Sequence, residues 1–193
     1  MRRRLLRDPR FLLPLVVTAL LAAGVPAASA VGAANCVGLP ATIRGTDGAD
    51  TLTGTTGDDV ILGGDGADTI AGLGGNDTIC AGTGDDIVDG GDGNDRVIGG
   101  RGDDTLRGGA GDDTLVDGPG SDMVEGGLGA DILAPGMGSD TLAGGPDDDT
   151  LRGGSGEDVL DGGVGADALA GGPGADRLMP VLQRDTLPDT STL

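Results

Sequence analysis

From Arg44 to Leu178 an aliphatic residue recurs at every ninth position, through fifteen blocks without insertion or deletion. Leu52, Ile61, Ile70 and Ile79 open the series, and Leu160, Leu169 and Leu178 close it. The clearest copies are LGGDGADTI (Leu62 to Ile70), DGGDGNDRV (Asp89 to Val97) and RGGAGDDTL (Arg107 to Leu115). The last three residues of a block are long enough only for a very short strand, whose aliphatic side chain points in while its neighbours point out. Nine residues make half a coil. Successive strands therefore alternate between two sheets, and block n stacks on block n+2. The pattern predicts an all-β chain, a parallel β-roll (solenoid) of about fifteen nonapeptide repeats. A disordered low-complexity tail has no reason to keep an aliphatic residue in phase over so many copies.

The glycines supply the turns. A Gly-Gly-x-Gly stretch lets the backbone take positive φ and reverse tightly. The third of these glycines, at block position five, is present in every block but one, where Asp147 replaces it; positive φ is expected there too. Asp117, Pro135 and Ala81 replace the first glycine, and Thr46, Thr55 and Leu73 the second; Pro119, Pro146 and Pro173 fall at the free fourth position. The turns from Asp59 to Asp113 are expected to be the most regular, and those from Asp131 to Asp149 the least.

The seventh position carries the candidate chemistry. It is aspartate in every block: Asp50, Asp59, Asp68, Asp77, Asp86, Asp95, Asp104, Asp113, Asp122, Asp131, Asp140, Asp149, Asp158, Asp167 and Asp176. Two stacked turns, each offering a carboxylate and backbone carbonyls aimed into one small space, supply what calcium needs, a set of about 6 to 8 hard oxygen ligands. Asp50 would share an ion with Asp68, Asp59 with Asp77, and so on. Eight odd blocks leave seven gaps and seven even blocks leave six, so thirteen sites is the ceiling. Zinc and copper lack their histidine or cysteine-cluster ligands here, and magnesium fits a carbonyl-rich geometry less well.

Composition strengthens this picture. The 193 residues include 42 glycines, 32 acids and 12 arginines, with no histidine, lysine, tryptophan or tyrosine and a single phenylalanine, Phe11. One buried aliphatic per nine residues does not offset the backbone entropy of ordering so much glycine, so cation binding is expected to drive folding. The formal charge is −20, and without the first ten residues (five arginines and one aspartate) it is −24. Such a chain repels nucleic-acid phosphates and anionic membranes, so no nucleic-acid partner and no membrane insertion are expected.

These blocks resemble the RTX, or hemolysin-type, calcium-binding repeats, whose signature is G-G-x-G-x-D-x-U-x with U aliphatic. The resemblance covers Arg44 to Leu178. It implies a right-handed parallel β-roll with calcium held in the turns, a ligand role for the fifteen aspartates named above, and carbonyl ligands from the adjacent glycine turns. The segment from Cys36 through Thr42-Ile43 resembles the cap that precedes such arrays in exported bacterial proteins. In Gram-negative relatives the array trails a protease, lipase or toxin domain and leaves by a C-terminal type I signal; neither is visible here.

Four segments are expected. Residues 1–30 read as a signal peptide: an arginine-rich start, an apolar run from Phe11 to Val25, and Ala28-Ser29-Ala30 as cleavage pattern, with cleavage near Ala30. Residues 31–43 form an N-terminal cap, 44–178 the repeat array and 179–193 a C-terminal cap or tail. A secreted, extracellular location follows. In that setting the two cysteines, Cys36 and Cys80, are a candidate disulfide joining the cap to the array. An enzyme is not expected, since the usual nucleophile and base pairings have no residues to build them. The expected function is that of a secreted calcium-binding protein. The alternative is a calcium-stiffened structural or adhesive surface protein. An ice-binding variant would want an unbroken threonine row, and Ile87, Arg96, Met123 and Arg177 interrupt it. The protein or surface partner is left open. Arg101-Gly102-Asp103, Asn76-Asp77-Thr78 and Leu187-Pro188-Asp189-Thr190 resemble short motifs. The first two are by-products of the repeat, and the last lacks the apolar span that a cell-wall sorting signal needs.

Overall fold

The computed structural model describes residues 35–179. The expected signal peptide, its cleavage point and residues 180–193 of the tail lie outside that range. Among the described residues all regular structure is strand. Two parallel sheets of eight strands each make a solenoid of about eight turns. One sheet carries Leu52, Ile70, Val88, Leu106, Val124, Leu142, Leu160 and Leu178; the other carries Ile43, Ile61, Ile79, Val97, Leu115, Leu133, Leu151 and Leu169. Each residue pairs with the one two blocks on, as in Thr105 with Met123 and Thr78 with Arg96. The stacking of block n on block n+2 follows from the nine-residue half-coil.

The core is thin and regular. Each interior strand contributes one aliphatic side chain, and those from Ile61 to Leu169 are at most 1% exposed. In the full-length strands a second inward position follows two residues later. It holds glycine, or Ala81, because the carbonyl of the next coil and an aspartate carboxylate occupy the space a side chain would need. Leu52, Leu178 and Ile43 close the ends, half-buried.

Two strained positions follow the expected geometry. Leu73 takes the place of a glycine at φ 80°, and Asp147 does so at φ 82°. Irregularity falls partly where expected, at Pro135, and partly outside that stretch, at Asp117. Several strands run six residues, but Thr114–Val116 and Ile132–Ala134 stop after three, at Asp117 and Pro135. Proline has no N–H to give the ladder. Beyond it Gly136–Met137 pairs separately with Gly154–Ser155. Asp117 diverts the neighbouring N–H groups to its own carboxylate.

The roll begins before Arg44. Ile43 pairs with Ile61, in phase with the later aliphatics, so a sixteenth strand precedes the fifteen blocks. Thr42 seals this end: its N–H donates to the Val60 carbonyl (2.7 Å) and its hydroxyl accepts from the Val60 N–H (2.9 Å). Ahead of it, Asn35–Cys36 and Leu39–Pro40 form an antiparallel hairpin. Its buried Cys36 is disulfide-bonded to Cys80, 44 residues away, on the strand Thr78–Thr83. Closing such a loop stabilises mainly through the unfolded chain, typically by about 2–4 kcal/mol. Replacing both cysteines by serine is expected to lower stability by that amount in denaturant melts at saturating calcium. An unchanged midpoint would show that the bridge stabilises nothing.

Candidate metal centre

The geometry of the turns places all fifteen predicted aspartates in two ladders, one along each edge of the roll. Each lower aspartate donates its backbone N–H to Oδ1 of the aspartate 18 residues on. Asp50 donates to Asp68 (2.8 Å), Asp68 to Asp86 (2.8 Å), and the edge continues to Asp158 and Asp176 (3.1 Å). On the other edge Asp59 donates to Asp77 (2.8 Å), and the run ends with Asp149 and Asp167 (2.9 Å). The ladder passes unbroken through Asp131, Asp140 and Asp149, where less regular turns were expected. From Asp59 to Asp167 these residues are at most 8% exposed.

The second carboxylate oxygen is the informative one. From Asp68 through Asp158, Oδ2 is buried and accepts no hydrogen bond. It faces the space beside the first turn glycine of its own block. There a Cβ built on Gly63 would lie 2.6 Å from Asp68 Oδ2 and would also collide with the Ala81 carbonyl oxygen. The same pair recurs as Asp77 Oδ2 with the Gly90 carbonyl beside Gly72, and as Asp95 Oδ2 (2.5 Å) with the Gly108 carbonyl (2.6 Å) beside Gly90. In these turns Oδ2 of the aspartate and a backbone carbonyl of the next coil thus face one space. A buried acceptor without a donor is costly. A set of such acceptors from two coils fits a hard cation, which takes carboxylate and carbonyl oxygens together.

Electrostatics points the same way. Burial pushes Asp86, Asp95, Asp122 and Asp131 up to about 6, and Asp113 and Asp149 up to about 7. The N–H on Oδ1 pulls each back in part, and nearby carboxylates add to the rise. A cation beside these groups would offset the cost of burying their charge and draw them back towards the ordinary aspartate range.

The first two turns differ. Asp50 Oδ2 accepts from the Thr46 N–H (2.7 Å) and hydroxyl (2.8 Å), and Asp59 Oδ2 from the Thr55 N–H (2.7 Å) and hydroxyl (2.9 Å). The Thr55 bonds hold Asp59 below the usual aspartate range. Threonine at the second glycine position therefore supplies from within the chain the donors that the later turns lack.

Two features escaped the sequence reading. Position six forms an outer ladder running the opposite way: Asn76 N–H donates to Asp58 Oδ1 (2.8 Å), Asn94 to Asn76 (2.8 Å) and Asp112 to Asn94 (3.1 Å). The recurrence of aspartate and asparagine before the invariant aspartate was its signal. The other is Asp117, read as a lost glycine. Its Oδ1 accepts from Gly100 N–H (2.7 Å) and Gly118 N–H (2.9 Å), which brings its carboxylate beside Asp104 and Asp122. Burial, with Asp104 next to it, pushes Asp117 up to about 8.

Comparison with known proteins agrees with the geometry. A family model described as the RTX calcium-binding nonapeptide repeat matches the chain in four copies, at residues 44–79, 81–106, 107–142 and 143–178. None of the curated proteins matches it.

Proposed function

Because the chain belongs to the RTX calcium-binding nonapeptide repeat family, we propose that it is a secreted protein whose array folds by taking up calcium between stacked turns. The observation that carries this reading is the row of buried, unpartnered Oδ2 atoms from Asp68 through Asp158. Calcium, when bound, supplies the positive charge and the coordination that these oxygens lack. The chain's own residues do the rest. The aspartates hold one carboxylate oxygen on the adjacent coil and aim the other into the gap. Residues such as Ala81, Gly90 and Gly108 present their carbonyls there, and the glycines leave room for the approach.

The capped turns sharpen the stoichiometry. Beyond Asp50 and Asp59, the lower ladder aspartate of each gap has an unpartnered Oδ2: six gaps on one edge (Asp68 to Asp158) and five on the other (Asp77 to Asp149). We therefore expect up to eleven calcium ions rather than thirteen. Calorimetric titration of the full chain is the test. An uptake of several ions, bounded by that number, supports the reading; no measurable uptake refutes it.

Export is supported by the N-terminal pattern and by the Cys36–Cys80 bridge, which persists in oxidising compartments. A binding rather than catalytic role is supported by the equivalence of the turns. From Asp68 to Asp158 one buried aspartate arrangement recurs turn after turn.

A further inference from the structure

One gap departs from all the others described. Everywhere else along the ladder a gap has the carboxylates of two stacked aspartates. Between Asp104 and Asp122 a third carboxylate enters, because block nine has Asp117 where its neighbours have glycine. The ladder itself continues, with the Asp104 N–H donating to Asp122 Oδ1 at 3.0 Å. One oxygen from each of the three residues lies within 4.8 Å of the other two.

Asp117 is built into this position. Its Oδ1 is held by the N–H groups of Gly100 and Gly118, at 2.7 and 2.9 Å, so two coils fix the carboxylate. Its Oδ2 is buried and unpartnered, as are Oδ2 of Asp104 and of Asp122. Asp104 is 1% exposed and Asp122 2%. The carboxylate lies against Gly99, where a side chain on that residue would collide with it. Two backbone donors fix its carboxylate, and one oxygen from each of the three residues meets the other two in this gap. All donors here are oxygen, which selects a hard cation over zinc or copper.

We propose that Asp104, Asp117 and Asp122 form a three-carboxylate centre that takes up a single calcium ion more tightly than any other gap, so that it fills first. Calcium affinity in oxygen cages rises with the number of charged ligands and the rigidity of the site, and both are greater here. The inference rests on the same reading of the turns as ion-holding, and it assigns them an order. The ion at this centre joins the seventh and ninth blocks, near the middle of the array.

The test is competition for calcium against a chromophoric chelator, with the full chain and two variants. Asp117→Gly restores the glycine of the neighbouring turns, and Asp117→Asn keeps the shape while removing the charge. The unaltered chain is expected to show one equivalent bound at least about tenfold more tightly than the rest. Both variants are expected to lose that phase and keep the remaining uptake. Retention of the tight phase in both variants overturns the proposal, as does uniform weak binding in the unaltered chain. One tight equivalent with no further uptake, abolished in both variants, upholds this centre and refutes the array-wide reading instead.

Discussion

Stripped of calcium at neutral pH and low salt, the chain is expected to lose most of its strand signal in far-ultraviolet circular dichroism, and to regain it on calcium addition. The reason lies in what holds each coil. A block buries one aliphatic side chain, such as Leu106 or Val124, and orders several glycines, whose unfolded freedom is the largest of any residue. The same coil stacks its aspartate on others 18 residues before and after it, in a chain whose charge beyond the first ten residues is −24. Repulsion along both edges and a buried unpartnered oxygen in nearly every turn oppose the metal-free roll. Each independent site filled at a hundredfold excess over its Kd adds about 2.7 kcal/mol to the folded state. Several such sites exceed the whole stability of an ordinary domain, about 5–15 kcal/mol. Magnesium at equal concentration is expected to do much less. Recovery of the signal in sodium chloride alone would mean that screening, not coordination, restores the fold. A complete strand signal in chelator would refute metal-dependent folding altogether.

Much of this architecture was legible because two signals share one period. The aliphatic phase from Leu52 to Leu178 set the half-coil, and the aspartate phase from Asp50 to Asp176 located the ladder. Both survive in the structure because parallel stacking forces equivalent residues into register. The sequence reading failed where a residue acts outside its repeat role. Ile43 continues the aliphatic phase, but Ala41 stands where the aspartate should be, so the first strand was assigned to a cap. Thr46 and Thr55 were counted as missing glycines. Only the hydrogen bonds to Asp50 and Asp59 show them satisfying Oδ2 from within the chain. Asp117 was counted the same way. Its meaning depends on Gly99 and Gly100, one coil below, leaving room and donors for its carboxylate. A linear consensus weighs each position alone, whereas these functions belong to pairs of residues about 18 apart or to turns within one block.

Acid is expected to act on the metal-free and calcium-loaded chains in opposite directions. In the metal-free roll Asp86, Asp95, Asp122 and Asp131 are raised by burial to about 6, and Asp113 and Asp149 to about 7. In the unfolded chain an aspartate titrates near about 3.9. Between these values the folded state binds more protons than the unfolded one, so stability falls as pH rises. The stabilising protons are fully present below the unfolded value and are lost as pH climbs through about 6 to 7. Metal-stripped protein in metal-free buffer should therefore gain strand signal when taken from about pH 8 to about pH 5. Asp59 runs the other way, because Thr55 lowers it, but it is one group against many. The calcium-loaded chain should instead lose signal over the same range at limiting calcium, since the ligands must give up their protons to coordinate. The pair of titrations separates the two roles of one carboxylate ladder, as proton store without calcium and as ligand set with it. A metal-free signal that stays flat or rises towards pH 8 would show that these aspartates are not the groups opposing the empty roll.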